Sequence, residues 1–174
     1  MNILVLYGLP GTGKSSVISN FKKYLPISVD VLIRKEKQNP SISDFEMLSN
    51  TLIFQVIKFI ENNPCSDIVI EMGCLMPIKS IFLLEGFLRR KNLSYLNVVL
   101  IADKDELINR LNKRNTDISL GLSNAIKIDF PINIIKFIEK FSFNQPSNFL
   151  TIDTTNKDID LIVSEILFKI DSVL

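Results

Sequence analysis

The stretch that decides the fold is residues 8–15, which read GLPGTGKS and fit the spacing G-x-x-x-x-G-K-S. An apolar run at residues 2–7 precedes it, and a stretch of helical period follows. In such a strand–loop–helix unit the glycines let consecutive main-chain N–H groups converge on a phosphate, and the helix N-terminus adds partial positive charge. The motif therefore predicts a P-loop that binds the phosphates of a nucleoside triphosphate.

Two side chains at the end of this motif have separate roles. Lys14 is expected to reach the β- and γ-phosphate oxygens as a point charge, and the Ser15 hydroxyl is expected to ligate Mg²⁺. The residues predicted to surround the nucleotide are Gly8, Pro10, Gly11, Thr12, Gly13, Lys14, Ser15 and Ser16.

Length and composition predict one globular domain over residues 1–174, since 47% of the residues are hydrophobic and 22% are charged. Twenty Lys and Arg against nineteen Asp and Glu give a net charge of +1. This balance argues against a protein that coats DNA or a membrane surface, and a nucleic-acid partner is not favoured. The absence of histidine excludes Ser-His-Asp and Cys-His nucleophile chemistry and His-ligated zinc.

The cysteines and the N-terminus predict a cytoplasmic protein. Cys65 and Cys74 flank a short apolar run, and an extended segment of nine residues holds their Cα atoms too far apart for a disulfide. They are expected to be reduced thiols. Residues 1–7 lack the basic start of a signal peptide, and no apolar run approaches the ~18 residues of a membrane span.

Apolar runs alternate with stretches of helical period, a pattern typical of a parallel sheet covered on both faces. Strands are predicted at residues 2–7, 27–33, 67–71, 96–102 and 148–152. Helices are predicted at residues 14–24, from 43 to just before 64, at 78–90 and 104–114, from about 131, and at 157–173. Residues 115–129 carry Gly, Ser, Asn and Asp with little periodicity, which predicts a loop between two helices.

The class of P-loop protein follows from residues outside the loop. Guanine-specific GTPases need Asn-Lys-x-Asp after a strand, and Asn156-Lys157-Asp158-Ile159 misses that pattern, so ATP is favoured over GTP. Arg110 and Arg114 lie four residues apart on a predicted helix and therefore share a face. The simpler interpretation of this pair is a solvated helix face, but the adjoining irregular loop and the P-loop favour a role at the nucleotide.

This arrangement resembles the adenylate-kinase-like and polynucleotide-kinase-like branch of P-loop phosphotransferases, which includes proteins similar to zeta toxin and chloramphenicol phosphotransferase. The resemblance implies an α/β fold of three layers, with a five-stranded parallel sheet in the order 2-3-1-4-5, helices on both faces, and a short lid at about residues 115–129. It also implies that Arg110 and Arg114 meet the adenine ring and the triphosphate.

Two carboxylates receive roles from the same resemblance. Asp30 would be the general base that takes the proton from an acceptor hydroxyl, and Glu71 would hold the Mg²⁺ shell through water. The sequence departs from the family pattern in two places. Arg34 lies one residue too far from Asp30 for the usual Asp-x-x-Arg spacing, and Glu71 stands where Asp is commoner.

The resulting expectation is a Mg²⁺- and ATP-dependent kinase that phosphorylates a hydroxyl or phosphate of a small molecule or nucleotide. Two alternatives remain open at this point. One is an ATP-binding module or slow ATPase without an acceptor, and the other is a polynucleotide 5′-hydroxyl kinase. The acceptor pocket contains no motif that identifies the substrate.

Overall fold

The computed structural model describes residues 1–37, 42–73, 78–120 and 149–173. Five parallel strands form one sheet in the order β2-β3-β1-β4-β5, which confirms the predicted order. The strands are β1 Asn2–Gly8, β2 Leu25–Ser28, β3 Ile68–Gly73, β4 Ser94–Ile101 and β5 Leu150–Asp153. The helices within the described residues are α1 Lys14–Asn20, α2 Val29–Glu36, α3 Ile42–Asn62, α4 Ile78–Arg90, α5 Lys104–Ser119 and α6 Ile159–Val173.

The central strand β1 explains why helices cover both faces of the sheet. Six of its seven residues are buried, so the strand has no polar face. Val5 lies in a core cluster with residues of α2, α3 and α4, whereas Leu4 and Leu6 lie in a second cluster with residues of α1 and α6. Alternate side chains of one strand thus anchor the two helical layers, and each fully buried Leu or Val contributes about 1.5–3 kcal/mol of hydrophobic stabilisation.

Three buried polar side chains lie on the side of the sheet that α2, α3 and α4 cover. Asn97 of β4 donates to the Glu85 carboxylate of α4 at 2.6 Å, and both residues are buried. The Tyr7 hydroxyl, which is also buried, has no hydrogen-bond partner within the described residues. Burial, reinforced by the charge of Glu85, raises the pKa of Tyr7.

The predicted strand at residues 27–33 is wrong. The strand β2 ends at Ser28, and the helix α2 begins at Val29. Ser28 has extended backbone angles, and its hydroxyl accepts a hydrogen bond from the Val31 N–H at 3.3 Å, which is the geometry of a helix N-cap. The alternation of β-branched residues at 27, 29 and 31 predicts a strand, but the N-cap at Ser28 ends the strand and starts the helix.

Two helix ends also differ from prediction. The helix α1 ends at Asn20 rather than near residue 24, because the chain turns at Phe21. The helix α5 continues to Ser119, so residues 115–119 of the predicted lid are helical. The hydroxyls of Thr116 and Ser119 bond to carbonyls one turn earlier, which satisfies these polar residues within the helix. Residues 121–129 of that lid, the helix predicted from about residue 131, and Cys74 lie outside the described residues.

The described residues bear on two other expectations. Cys65 is an exposed free thiol, and its predicted counterpart Cys74 lies outside the described residues. Among the helices that the structure describes, none combines the length and the apolar character that crossing a bilayer requires.

Candidate nucleotide-binding site

The P-loop connects β1 to α1 at the carboxyl edge of the sheet, where open α/β sheets bind ligands. Its conformation depends on glycine at two points. Gly8 has φ 153°, and a β-carbon there would lie 2.7 Å from the Leu100 carbonyl oxygen. Gly13, the N-cap residue of α1, has φ 90°, which L-residues rarely adopt. The sequence therefore forces the chain to turn sharply between strand and helix, as phosphate binding requires.

Lys14 lies across this loop rather than out in solvent. Its side chain is buried, and its Nζ donates to the carbonyl oxygens of Gly8 at 2.8 Å and Leu9 at 3.1 Å. Thr12 is also buried, and its hydroxyl bonds to the same Leu9 carbonyl at 2.9 Å. The ammonium group is thus held within the curve of the loop, close to where the phosphates of a nucleotide would enter.

The next residue, Ser15, points to the neighbouring strand. Its hydroxyl donates to Glu71 Oε1 of β3 at 2.8 Å. A hydroxyl and a carboxylate are the hard oxygen donors that Mg²⁺ prefers, and Mg²⁺ usually takes only one or two protein ligands besides phosphates and waters. The side chains of Ser15 and Glu71 therefore fit the proposed ion, although no group of three acidic or sulfur ligands occurs among the described residues.

Asp30 lies in the first turn of α2 and not within a strand over residues 27–33, as predicted. Its carboxyl nevertheless reaches the edge of the sheet, where it lies against the main chain of Gly73. Burial raises the pKa of Asp30, the charge of Lys14 opposes this, the charge of Glu71 raises it further, and the charge of Arg34 lowers it. The structure thus brings the carboxyl together with the two groups expected at the γ-phosphate and Mg²⁺.

Two arginines complete this side of the site. Arg114 of α5 is half-buried, and its Nε has no hydrogen-bond partner within the described residues. Burial and the nearby charge of Arg34 lower the pKa of Arg114, and Glu71 opposes the shift. The charge of Arg34 thus acts on both Asp30 and Arg114, although its spacing from Asp30 does not fit the family pattern. Because α2 is a helix, Asp30 and Arg34 lie four residues apart on one helix face.

Arg110 does not share the surroundings of Arg114. Its NH1 donates to the Gly11 carbonyl at 3.3 Å and to Thr154 Oγ1 at 3.1 Å, and its NH2 donates to the Thr154 carbonyl at 2.7 Å. Its Nε pairs with Glu106, one turn earlier on α5, at 2.8 Å. The guanidinium thus joins the P-loop to the segment after β5.

The remaining predicted loop residues lie at the surface of the site. Pro10 and Gly11 are partly exposed, and Gly11 packs against α5, where a β-carbon would lie 3.1 Å from Leu111. Ser16 is exposed, and its carbonyl accepts a hydrogen bond from Asn20 Nδ2 at 2.9 Å. The loop is therefore open to solvent on the side away from the sheet.

Comparison with known proteins rests on structure. No protein-family model and no curated protein matches this chain. Among solved structures, the tunicamycin resistance protein of Deinococcus radiodurans has a TM-score of 0.66 at 11% identity, covering 98% of this chain and 96% of that one. A gluconokinase of Sinorhizobium meliloti 1021 has a TM-score of 0.63 at 14% identity, covering 98% and 92%. The APS kinase CysC of Mycobacterium tuberculosis, solved with AMPPNP and APS, has a TM-score of 0.60 at 16% identity, covering 98% and 97%.

These similarities extend over nearly the whole chain and include the strand order and the helices on both faces of the sheet. They agree with the local geometry of residues 8–15, where strand, loop and helix follow one another as the motif requires. The chain has the fold of the P-loop kinases.

Proposed function

We propose that the protein is an ATP-dependent phosphotransferase that moves the γ-phosphoryl group to a hydroxyl group of an acceptor. The observation that carries this proposal is the placement of the Asp30 carboxyl at the sheet edge, within the electrostatic reach of Lys14 and Glu71. A module that only binds ATP needs no carboxyl there. An acceptor phosphate, which is already deprotonated, needs no base and would be repelled by this carboxylate. A hydroxyl acceptor needs one.

The reaction requires little covalent chemistry from the protein, so the charges do most of the work. The acceptor oxygen forms a bond to the γ-phosphorus, the bond from that phosphorus to the bridging oxygen of ADP breaks, and the acceptor proton passes to Asp30. Lys14 binds the β- and γ-phosphate oxygens, and Arg114 and Arg34 offset the negative charge on the transferred group. The raised pKa of Asp30 makes it a better proton acceptor than a free aspartate.

Mg²⁺ would be held by Ser15 directly and by Glu71 through water, and when bound it neutralises phosphate charge and orients the phosphates. The Ser15–Glu71 hydrogen bond keeps both oxygens at the same place at the loop. Arg110 has a different role, since it bonds to main-chain carbonyls and fixes the loop against the segment after β5.

The test is a coupled assay of ADP release with MgATP and a panel of acceptors that includes sugars, nucleosides, nucleotides, antibiotics and RNA 5′ ends. We expect one class of hydroxyl acceptor to stimulate ADP release, and Asp30→Asn to lower kcat about 10²–10⁴-fold while leaving ATP affinity unchanged. The matched control is Asp160→Asn, which removes an exposed carboxyl that also lies in the first turn of a helix.

Three results would refute the proposal. ADP release that no acceptor stimulates would favour the ATPase module. Full activity in Asp30→Asn would show that Asp30 is not the general base. Equal losses in Asp30→Asn and Asp160→Asn would show that the effect comes from the helix ends rather than from the site.

A further inference from the structure

Gly73 is the last residue of β3, and nothing in its backbone requires glycine. Its φ lies outside the left-handed region, in contrast to the φ values of the P-loop glycines. It pairs with Gly8 in the parallel register of β3 and β1, so its main chain has an ordinary strand environment. The absence of a side chain must therefore be explained by the space around it.

Among the described residues, the atoms nearest to that space belong to one side chain. A β-carbon at Gly73 would lie 2.5 Å from Asp30 Oδ1, 3.0 Å from Oδ2 and 3.1 Å from Cγ. These are the three nearest atoms, and all belong to the carboxyl group that the proposed function uses as its base. By contrast, a β-carbon at Gly86 in α4 would meet, among the described residues, only Arg90 NH1, at 3.4 Å.

We propose that Gly73 is a positioning residue for the Asp30 carboxyl: by lacking a side chain, it lets that carboxyl lie against the end of β3. The role in catalysis rests on the proposed function, whereas the positioning itself does not. The other charged groups acting on the carboxyl are Lys14 from α1, Glu71 from β3 and Arg34 from α2 itself.

The effect of a methyl group at this position follows from the distances. Ordinary van der Waals contact begins at 3.4 Å, so the carboxyl would have to move by about 0.9 Å from a β-carbon at 2.5 Å. An aspartate carboxyl can rotate away at small cost to the fold, but it then leaves its place against the end of β3. A misplacement of about 1 Å in a reacting group lowers the rate about 10²-fold.

The first experiment measures position without any acceptor, by following the Asp30 carboxyl carbon through a pH titration by NMR. In Gly73→Ala the carboxyl moves toward solvent, so its pKa should fall toward the ordinary value of 3.8. Gly86→Ala should leave the titration unchanged. An unchanged Asp30 titration in Gly73→Ala overturns the proposal.

A second measurement distinguishes a clash with Asp30 from a general effect of Gly73→Ala on stability. Gly73→Ala should change Tm by different amounts in the wild-type background and in an Asp30→Ala background, where the clashing carboxyl is gone. A Tm change of the same size in both backgrounds overturns the proposal, because the effect of the methyl group would then not depend on Asp30.

The third measurement connects position to rate, with MgATP and the acceptor that gives the highest wild-type turnover, or water if none stimulates. Gly73→Ala should keep the ATP dissociation constant within about twofold and lower kcat about 10²-fold, with Gly86→Ala at the wild-type value. An unaltered kcat in Gly73→Ala overturns the proposal. Absence of acceptor-stimulated turnover in the wild type refutes the proposed function instead, and the NMR and Tm results still decide the position of Asp30.

Discussion

Arg110 and Arg114 lie one turn apart on α5, and the structure predicts a large loss of stability when Arg110 is replaced by Met but almost none when Arg114 is. Arg110 makes three hydrogen bonds to Gly11 and Thr154, in addition to its pair with Glu106. Arg114 has a buried Nε without a partner within the described residues, and its pKa is lowered by burial. Met keeps the length of the side chain and removes the charge and the donors.

The expected loss for Arg110→Met can be worked out bond by bond. Three hydrogen bonds at about 1 kcal/mol each give a loss of about 3 kcal/mol in the free energy of unfolding. The pair with Glu106, one turn away on the same helix, adds only about 0.3–0.5 kcal/mol. At about 2–4 °C per kcal/mol for a chain of this size, Tm should fall by about 6–12 °C. Arg114→Met breaks no such bond within the described part of the chain and should change stability by less than about 0.5 kcal/mol.

Urea unfolding followed by circular dichroism measures both differences, provided that the slope with denaturant is the same in the three proteins. The reasoning is refuted if Arg110→Met unfolds within about 1 kcal/mol of the wild type, or if Arg114→Met is as destabilised as Arg110→Met. In either case the contacts of the guanidinium with Gly11 and Thr154 would not be what holds the loop.

Three further substitutions test separate parts of the structure. Burial raises the pKa of Asp30 above 3.8, so the stability contributed by the protonated carboxyl is lost as the pH rises through the raised value. Calorimetric scans should therefore show a higher Tm for Asp30→Asn than for wild type at pH 7, a gain that shrinks as the pH falls toward 3.8; a lower Tm at pH 7 would contradict this. Tyr7→Phe removes a buried hydroxyl that has no hydrogen-bond partner among the described residues, and it should raise the free energy of unfolding in urea by about 1 kcal/mol. Tyr95→Phe, which removes the acceptor for Arg89 at 3.0 Å, should give no gain. Glu71→Gln still allows a hydrogen bond to Ser15, so the fold should persist while the gain in ATP affinity on adding Mg²⁺ falls about tenfold in calorimetry; an unchanged Mg²⁺ effect would remove Glu71 from the ion site.

The sequence was sufficient for the parts of the fold that depend on local chemistry and on order along the chain. The glycines specify the loop because few other residue types can adopt its backbone angles. Lys14 adds the positive charge that a phosphate-binding loop needs. The strand order followed from resemblance to a family rather than from residue patterns, and the structure confirms it.

The boundary between β2 and α2 could not be read from hydrophobicity. Ile27, Val29 and Val31 alternate as in a strand, yet Val29 is buried and Val31 is exposed because the chain has already become helical. What decides the boundary is the Ser28 hydroxyl, which caps the helix, and serine alone is too common to identify a cap. This single error placed Asp30 on the wrong element and hid the relation between Asp30 and Arg34.

The different surroundings of Arg110 and Arg114 also lay beyond sequence reasoning. Their spacing correctly puts them on one face of α5. That face nevertheless passes from one neighbouring element to another within a single turn, so the two side chains have different surroundings. Arg110 meets carbonyl groups of Gly11 and Thr154, which no side-chain pattern marks. Contacts to the main chain depend on tertiary packing and become visible only in the structure.

The central claim is that the P-loop binds a triphosphate with the help of Lys14, and calorimetric titration with MgATP tests it most directly. We expect the wild type to bind MgATP, and Lys14→Ala to bind it at least about tenfold more weakly, since the ammonium lies within the loop beside the Gly8 and Leu9 carbonyls. Lys22→Ala, which removes an exposed ammonium, should match the wild type. The claim is contradicted if neither ATP nor GTP binds in magnesium buffer, or if Lys14→Ala binds MgATP as tightly as the wild type does.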